Sequence, residues 1–369
     1  MRHTYIDINQ ANLTHNLNTI KTLAPTARIM AMVKSGAYGH GVANCLSALM
    51  GADAFGVATL GEGLEVFHLL QLHNHAKPVV LIEGVFNPHE WQIALEHDFG
   101  CVIHCKEQLD WALQNVPPDG SFTRTIWLKY NTGMNRLGFG LDELIEAGKC
   151  LNDKGYRLIL TSHFACADDK DHPTNTKQID RFNEALSHLN KLCNHKVQGS
   201  LCNSAGIIHF PHVHHDWVRA GIALYGGTPI TEYSAHQLNL RPVMTFSTQI
   251  IATHKLDVGE QVGYGGLWTA QKPSTIGILS VGYGDGYPRA ITSGKVLIIK
   301  NNKHHIAPII GRVAMDMMMI DMTDLPIEKG DTAILWGEGL SADEVADWAN
   351  TISYELFCQT MNRPTRRIV

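Results

Sequence analysis

Short apolar runs separated by amphipathic stretches recur along the first two thirds of the chain. Runs of strand length fall at 27–34, 54–60, 79–84, 100–104, 125–130, 158–165, 197–202 and 218–225. Between them lie segments with helical periodicity, among them Gly61–Leu72, Asn87–His97, Asp142–Asn152 and Asn175–Leu192. Continuous apolar strands alternating with helices suit a parallel sheet covered on both faces. Eight such units of roughly 25 residues predict a TIM-type (β/α)8 barrel. A doubly wound sheet is the alternative, but no GxGxxG turn follows the first strand.

Beyond about residue 235 the texture changes. Strand-like segments dominate, at Val243–His254, Thr275–Val281, Lys295–Lys300, Met317–Met322 and Thr332–Trp336, several of them separated by glycine-rich turns. Ser341-Ala-Asp-Glu344 has the form of a capping box and predicts a helix through Asn350. The expected organisation is an α/β barrel over 1–234 and a mostly β domain over 235–369, joined through the polar stretch Pro229–Asn239.

Composition narrows the function classes. A chain of 369 residues with 44% hydrophobic and 18% charged residues is an ordinary globular protein with a sizeable core. Its formal net charge of -5 gives no electrostatic case for nucleic acid or an anionic membrane. No apolar run reaches the roughly 18 residues of a membrane span. The opening residues lack the apolar core of a signal peptide, so a cytoplasmic protein is expected. The eight cysteines show no zinc-type pairing, and free thiols in a reducing compartment are expected, with no bound metal. His209, His212, His214 and His215, next to Asp216, are expected in an exposed loop.

In a barrel, chemistry gathers at the C-terminal ends of the strands. Lys34 ends the first expected strand, an amine leaving an apolar run. Poor solvation favours its neutral, nucleophilic form, which a Schiff base with pyridoxal phosphate requires. Lys129 and Arg136 follow the fifth strand, His163 ends the sixth, Asn203 and Ser204 end the seventh, and the eighth carries Arg219, Gly221 and Ile222. Amine, imidazole, guanidinium, hydroxyl and glycine backbone thus converge on one rim.

At these residues the chain resembles the alanine racemases, which are built as a barrel plus a β domain. The resemblance rests on VKSGAYGHG (33–41), KYNTGMNRLG (129–138), SHFACAD (162–168), VRAGIALYG (218–226), VGYGGLW (262–268), VGYGDGYPR (281–289) and GRVAMD (311–316). It implies pyridoxal 5'-phosphate as cofactor, held covalently by Lys34. It also implies two bases on opposite faces of the substrate Cα, Lys34 for D-alanine and Tyr264 for L-alanine, because one group cannot easily reach both sides of a planar carbanion. A phenol titrates near pH 10 in water and needs help as a base, which the family provides with His163. Arg219 would face the pyridine nitrogen without protonating it, favouring reprotonation at Cα over transamination. Tyr38, Ser204, the Gly221 and Ile222 amides and Tyr354 would hold the phosphate, with Asn203 beside them. Arg136 and the Met315 amide would bind the substrate carboxylate, and Lys129 falls where some relatives carry a carbamylated lysine that positions this arginine.

The family resemblance also implies a homodimer in which Tyr264 and Met315 enter the partner's site, and a supply of D-alanine for peptidoglycan. Gly36, Ala314 and VGYGGLW, which stands in place of the more usual serine and alanine around Tyr264, depart from frequent family residues, which bears on rate and substrate preference. A decarboxylase of the same barrel class and a broad-specificity racemase are the enzyme alternatives. A cofactor-carrier barrel would match the first domain alone, against Tyr264, Met315 and the whole of 240–369.

Overall fold

The structure, a computed structural model, describes residues 3–369. Eight parallel strands follow the expected runs: β2 Arg28–Met32, β3 Ala54–Val57, β4 Val79–Leu81, β5 Gly100–Ile103, β6 Thr125–Lys129, β7 Arg157–Thr161, β8 Gln198–Ser200 and β9 Trp217–Ala220. Their order, β8-β7-β6-β5-β4-β3-β2-β9, winds once around. The seam between β8 and β9 is bridged by the Asp216 N–H to the Gly199 carbonyl (3.1 Å) and the Arg219 N–H to the Cys202 carbonyl (2.9 Å), which brings the sheet close to a closed barrel. Strands such as Ala54–Val57 and Gly100–Ile103 are buried at every position, as a sheet lined inside and covered outside requires. The doubly wound alternative is thereby excluded.

Local chemistry sets the helix starts. Thr59 and Glu62 form a reciprocal capping box ahead of helix Leu60–Leu72. Asn87 caps helix Pro88–Glu96, whose first residue is a proline that has no N–H to satisfy. His172 accepts from the Thr174 N–H and opens helix Pro173–Leu192, again with proline in the first turn.

The second unit is a curled sheet of order β13-β16-β15-β14-β17-β10-β1-β18, in which β10 also pairs with β13. Its strands are β1 Tyr5–Ile8, β10 Met244–Leu256, β13 Ser274–Leu279, β14 Lys295–Lys300, β15 Lys303–Ile310, β16 Met318–Asp321, β17 Thr332–Trp336 and β18 Thr365–Ile368. A small ribbon, β11 Gln261–Val262 with β12 Trp268–Thr269, carries Tyr264 on its turn. Strand β1, from the 1–234 stretch expected to form the barrel, lies instead in this sheet: Tyr5 pairs with both Ser247 and Thr365. The first and last described strands are therefore both tied into the β unit, and one hydrophobic core runs through barrel and sheet.

The histidine segment meets expectation at His212, which is exposed, and departs from it at His214. A short turn at Pro211–Val213 brings the flanking histidines inward. His214 is buried with Nε2 at 2.9 Å from the Ile207 carbonyl, and His209 places Nδ1 at 2.9 Å from the Ala167 carbonyl. Backbone carbonyls, which need partners when buried, use these imidazoles. Among the described residues no helix is long and apolar enough to cross a membrane.

Candidate active site

A cavity of about 410 Å³ opens at the C-terminal rim of the barrel. It brings together Lys34, Tyr38, Lys129, Arg136, His163, Asn203, Ser204, Arg219, Gly221, Ile222 and Tyr354, all singled out from the sequence. Tyr264 and Met315 are not in it: they lie on loops of the β unit, 74% and 53% exposed.

Lys34 reaches the rim because the buried run of β2 ends at Met32, with the Val33 N–H still donating to the Gly56 carbonyl (2.9 Å). The chain then makes a left-handed turn, with φ of 53° at Ser35, 60° at Gly36, 53° at Ala37 and 54° at Tyr38. Each non-glycine residue in that conformation costs roughly 1–2 kcal/mol. The turn is held by its own ladder, Ala37 N–H to Val33 O (2.8 Å) and Gly41 N–H to Gly36 O (2.7 Å), and by two side chains. Glu62 accepts from the Ser35 N–H at 2.6 Å. His40 places Nδ1 at 3.1 and 2.9 Å from the Ala37 and Tyr38 carbonyls, so Nδ1 carries the proton. Burial pushes the His40 imidazole down to about 4, which keeps it neutral.

This turn directs Tyr38 toward Gly221. A Cβ at Gly221 would stand 2.5 Å from the Tyr38 hydroxyl oxygen, so only glycine permits the approach. The Gly221 N–H donates to the Ser204 hydroxyl at 2.8 Å, and Ser204 itself starts a short helix capped by the Asn203 side chain. Tyr38 stacks on Tyr225 (4.9 Å between centroids) and lies 6.1 Å from Tyr354. Burial raises the pKa of Tyr38 and of Tyr354, so both hydroxyls stay protonated and able to donate. Neutral donors around glycine backbone make a cup suited to a compact dianion.

Arg219 is buried, and among the described residues no carboxylate pairs with it. Its Nη1 donates to the Ser200 carbonyl (2.8 Å) and hydroxyl (2.7 Å) and to the Thr161 hydroxyl (3.2 Å). Its Nη2 meets the Ser162 carbonyl, the Leu201 carbonyl (3.1 Å) and His163 Nδ1 (3.4 Å). Nε is the guanidinium nitrogen left without a protein partner among the described residues. Burial lowers the Arg219 pKa to about 10, still cationic at neutral pH. Because Nη2 donates to His163 Nδ1, the imidazole proton sits on Nε2. Burial, then Arg219, Arg136 and the lysines, hold the His163 pKa well below its usual value. His163 is thus a neutral donor.

Lys129 shares this crowded field. Burial, followed by Arg219 and Arg136, lowers its pKa to about 8, with Glu83 pulling the other way. The predominance of cations gives the cavity a field that draws in anions.

Sequence reading did not single out Glu62, His40 or Gln178. The first was visible in the Thr59-x-x-Glu62 capping pattern. Gln178 continues the buried stripe Phe182–Ala185–Leu189 of its helix, and a polar residue on such a stripe marks a bonded group.

Two family models account for nearly the whole chain: the alanine racemase N-terminal domain over residues 8–229 and the C-terminal domain over 243–368. The alanine racemase of Psychrobacter sp. (strain PRwf-1) is 47% identical over 378 residues, covering 100% of both chains. The solved alanine racemase of Acinetobacter baumannii superposes with a TM-score of 0.91 at 42% identity, again over the full length of both. That of Bartonella henselae, solved with covalently bound pyridoxal phosphate, gives 0.86 at 26% identity, with full coverage of both chains. This chain belongs to the alanine racemase family.

Proposed function

We propose that the protein is a cytoplasmic, homodimeric enzyme that interconverts L- and D-alanine with pyridoxal 5'-phosphate and supplies D-alanine for peptidoglycan. The observation that carries the reading is the Lys34 amine and a cup for a dianion in one cavity, with Arg219 between other strand ends of the same rim. The donor set fits the cofactor: the Tyr38, Ser204 and Tyr354 hydroxyls and the Ile222 amide for its phosphate, joined by the Gly221 amide once it leaves the Ser204 hydroxyl it now donates to, and Lys34 for its carbonyl carbon. The solved relative that carries covalently bound cofactor supports the same choice.

Bound there, the cofactor supplies an electron sink that lowers the cost of removing the alanine Cα proton. Everything else falls to the protein. Arg136 binds the substrate carboxylate and fixes which bond to Cα faces the base, assisted by the Met315 amide. Lys34 Nζ takes or returns the Cα proton on one face. Tyr264 of the partner subunit does so on the other, which accords with its exposure and its distance from the cavity of its own chain. The His163 Nε2–H stabilises the developing phenolate, backed by the Arg219 guanidinium through Nδ1. Arg219 donates hydrogen bonds and holds its proton at neutral pH, so it leaves the cofactor a weaker sink than a carboxylic acid would. Return of the proton to Cα then outruns transamination. Lys129, neutral in a good fraction near pH 8, is suited to carbamylation, and the added negative charge would anchor Arg136.

The test is purified protein and L-alanine. D-alanine must form, and a panel of other amino acids, with carbon dioxide release monitored, separates the broad-specificity and decarboxylase readings. No D-alanine from cofactor-loaded protein would overturn the assignment.

A further inference from the structure

Behind the rim, helix Pro173–Leu192 sends a fully buried glutamine, Gln178, toward two active-site loops. Its Oε1 accepts from the Ala165 N–H at 2.9 Å. Its Nε2 donates to the His163 carbonyl (3.0 Å) and to the Thr132 hydroxyl (2.8 Å). The amide orientation is fixed by these partners, since a backbone N–H must meet oxygen and a carbonyl must meet nitrogen.

The hydroxyls beyond it can be ordered in the same way. Ser162 Oγ lies 2.8 Å from the Tyr130 carbonyl, which can only accept. The Ser162 proton is therefore spent there, and the 2.8 Å contact with Thr132 runs from Thr132 to Ser162. The result is a one-way chain: Gln178 Nε2–H to Thr132 Oγ, Thr132 O–H to Ser162 Oγ, Ser162 O–H to Tyr130 O. Thr132 and Ser162 are both buried. Arg181, one turn along the helix, adds a bond to the Thr132 carbonyl at 3.0 Å.

The chain joins the two loops that matter for substrate. Thr132 belongs to the segment 130–139, which carries Arg136 and is closed by the Asn131 N–H to Phe139 O bond (3.0 Å). Ser162 and His163 end β7. We infer that Gln178 is a positioning residue that sets Arg136 and His163 relative to each other through Thr132 and Ser162. The inference rests on the roles proposed above for those two residues. Among the described residues no hydrogen bond runs from the Gln178, Thr132 or Ser162 side chains to the Lys34 turn or the anion cup, which hang from β2, β8 and β9; the chain meets the cofactor side at the Ser162 carbonyl, which accepts from Arg219 Nη2. Substrate alignment and cofactor retention should therefore separate.

Gln178→Met keeps the volume and removes all three bonds; Thr132→Val removes the hydroxyl from the chain and leaves Gln178 bonded to His163 and Ala165. In cofactor-saturated dimer, Gln178→Met is expected to raise the KM for alanine and lower kcat, with kcat/KM falling roughly 10- to 100-fold. The inhibition constant of propionate, a carboxylate without an amine, should rise in step with KM. Visible absorbance of the bound cofactor should stay at the wild-type level. Thr132→Val should act in the same direction and less, and the double variant should be no worse than Gln178→Met, as for groups that act as one unit. Wild-type kinetics and propionate inhibition in Thr132→Val, or a Gln178→Met defect that tracks only lost cofactor and lost fold, overturns the inference. If Gln178→Met does not fold, Thr132→Val decides. A wild type without racemase activity would count against the proposed function instead, and propionate binding, titrated through the absorbance of the bound cofactor, would still test the clamp.

Discussion

Two parts of the proposed site are built in opposite ways. Around Lys34 and Arg219 the groups are buried or half-buried, and Arg219 is tied to backbone carbonyls that leave it little freedom. Tyr264 and Met315 stand on loops of the β unit, largely exposed and outside the cavity of their own chain. A residue that must hold a cofactor gains from being fixed by its own barrel. A base that must work from the opposite face of the substrate has no strand end left to stand on, because the barrel approaches from one side. The contrast explains why a second subunit would be needed, and it can be attacked from either side.

The largest effect is expected at Lys34. Lys34→Ala should abolish the visible absorbance of bound cofactor and reduce racemisation by about 10⁴-fold or more. Retained absorbance would remove this lysine from its role. Next comes Tyr264→Phe, with kcat/KM lower by about 10²- to 10⁴-fold and the cofactor still bound. L- and D-alanine have equal free energies, so kcat/KM must fall by the same factor in both directions. The lost base shows instead in the substrate isotope effect, which should rise for Cα-deuterated L-alanine and shrink for the D form; an equal rise in both would break the assignment.

Mixing the two inactive variants sharpens the comparison further. If Tyr264 serves the partner's site, a mixed dimer holds one site with both bases intact, and random exchange should restore about a quarter of wild-type activity. No recovery after demonstrated exchange would put Tyr264 and Lys34 in one subunit. A smaller effect concerns Lys129. With its pKa near 8, transfer to carbon dioxide-free buffer at pH 6.5 should strip a carbamate and raise the KM for alanine several-fold, reversed by bicarbonate at pH 8. Mass spectrometry of intact protein without the added 44 Da in either buffer, and a KM that does not move, would dismiss the modification.

The smallest effect is on stability. His40 titrates near 4 when folded and near 6.5 when unfolded, so the unfolded chain binds the extra proton as pH falls. Its contribution is complete above about pH 6.5 and is lost as pH drops toward 4. The Tm should decline across that window, and His40→Asn, lower in Tm at pH 7, should show a shallower decline.

Much of this was legible beforehand. The eight barrel strands are short apolar runs whose periodicity is local, and the rim residues follow from knowing where such strands end. The edges of the β sheet were not. Tyr5–Ile8 finds its partner Thr365 some 360 positions away, a pairing that leaves no trace in local pattern. The left-handed turn was equally hidden, since Ser35, Ala37 and Tyr38 carry no preference for positive φ and are held there by Glu62 and His40. Gln178 read simply as part of a helix, because what makes it matter is the carbonyl and hydroxyl it meets in space.

Arg219 has a further consequence for how such an enzyme can change over time. Its guanidinium fastens carbonyls at the ends of β7 and β8 from a position on β9, across the seam where the strand ladder is broken. The residue proposed to disfavour transamination is also a rivet in the barrel wall. Replacing it with a carboxylate to reach other chemistry would strip the Ser200, Ser162 and Leu201 carbonyls of a donor and set a negative charge beside them. Reaction preference and barrel closure are inherited together, and a lineage would have to rebuild the seam before it could rewrite the reaction.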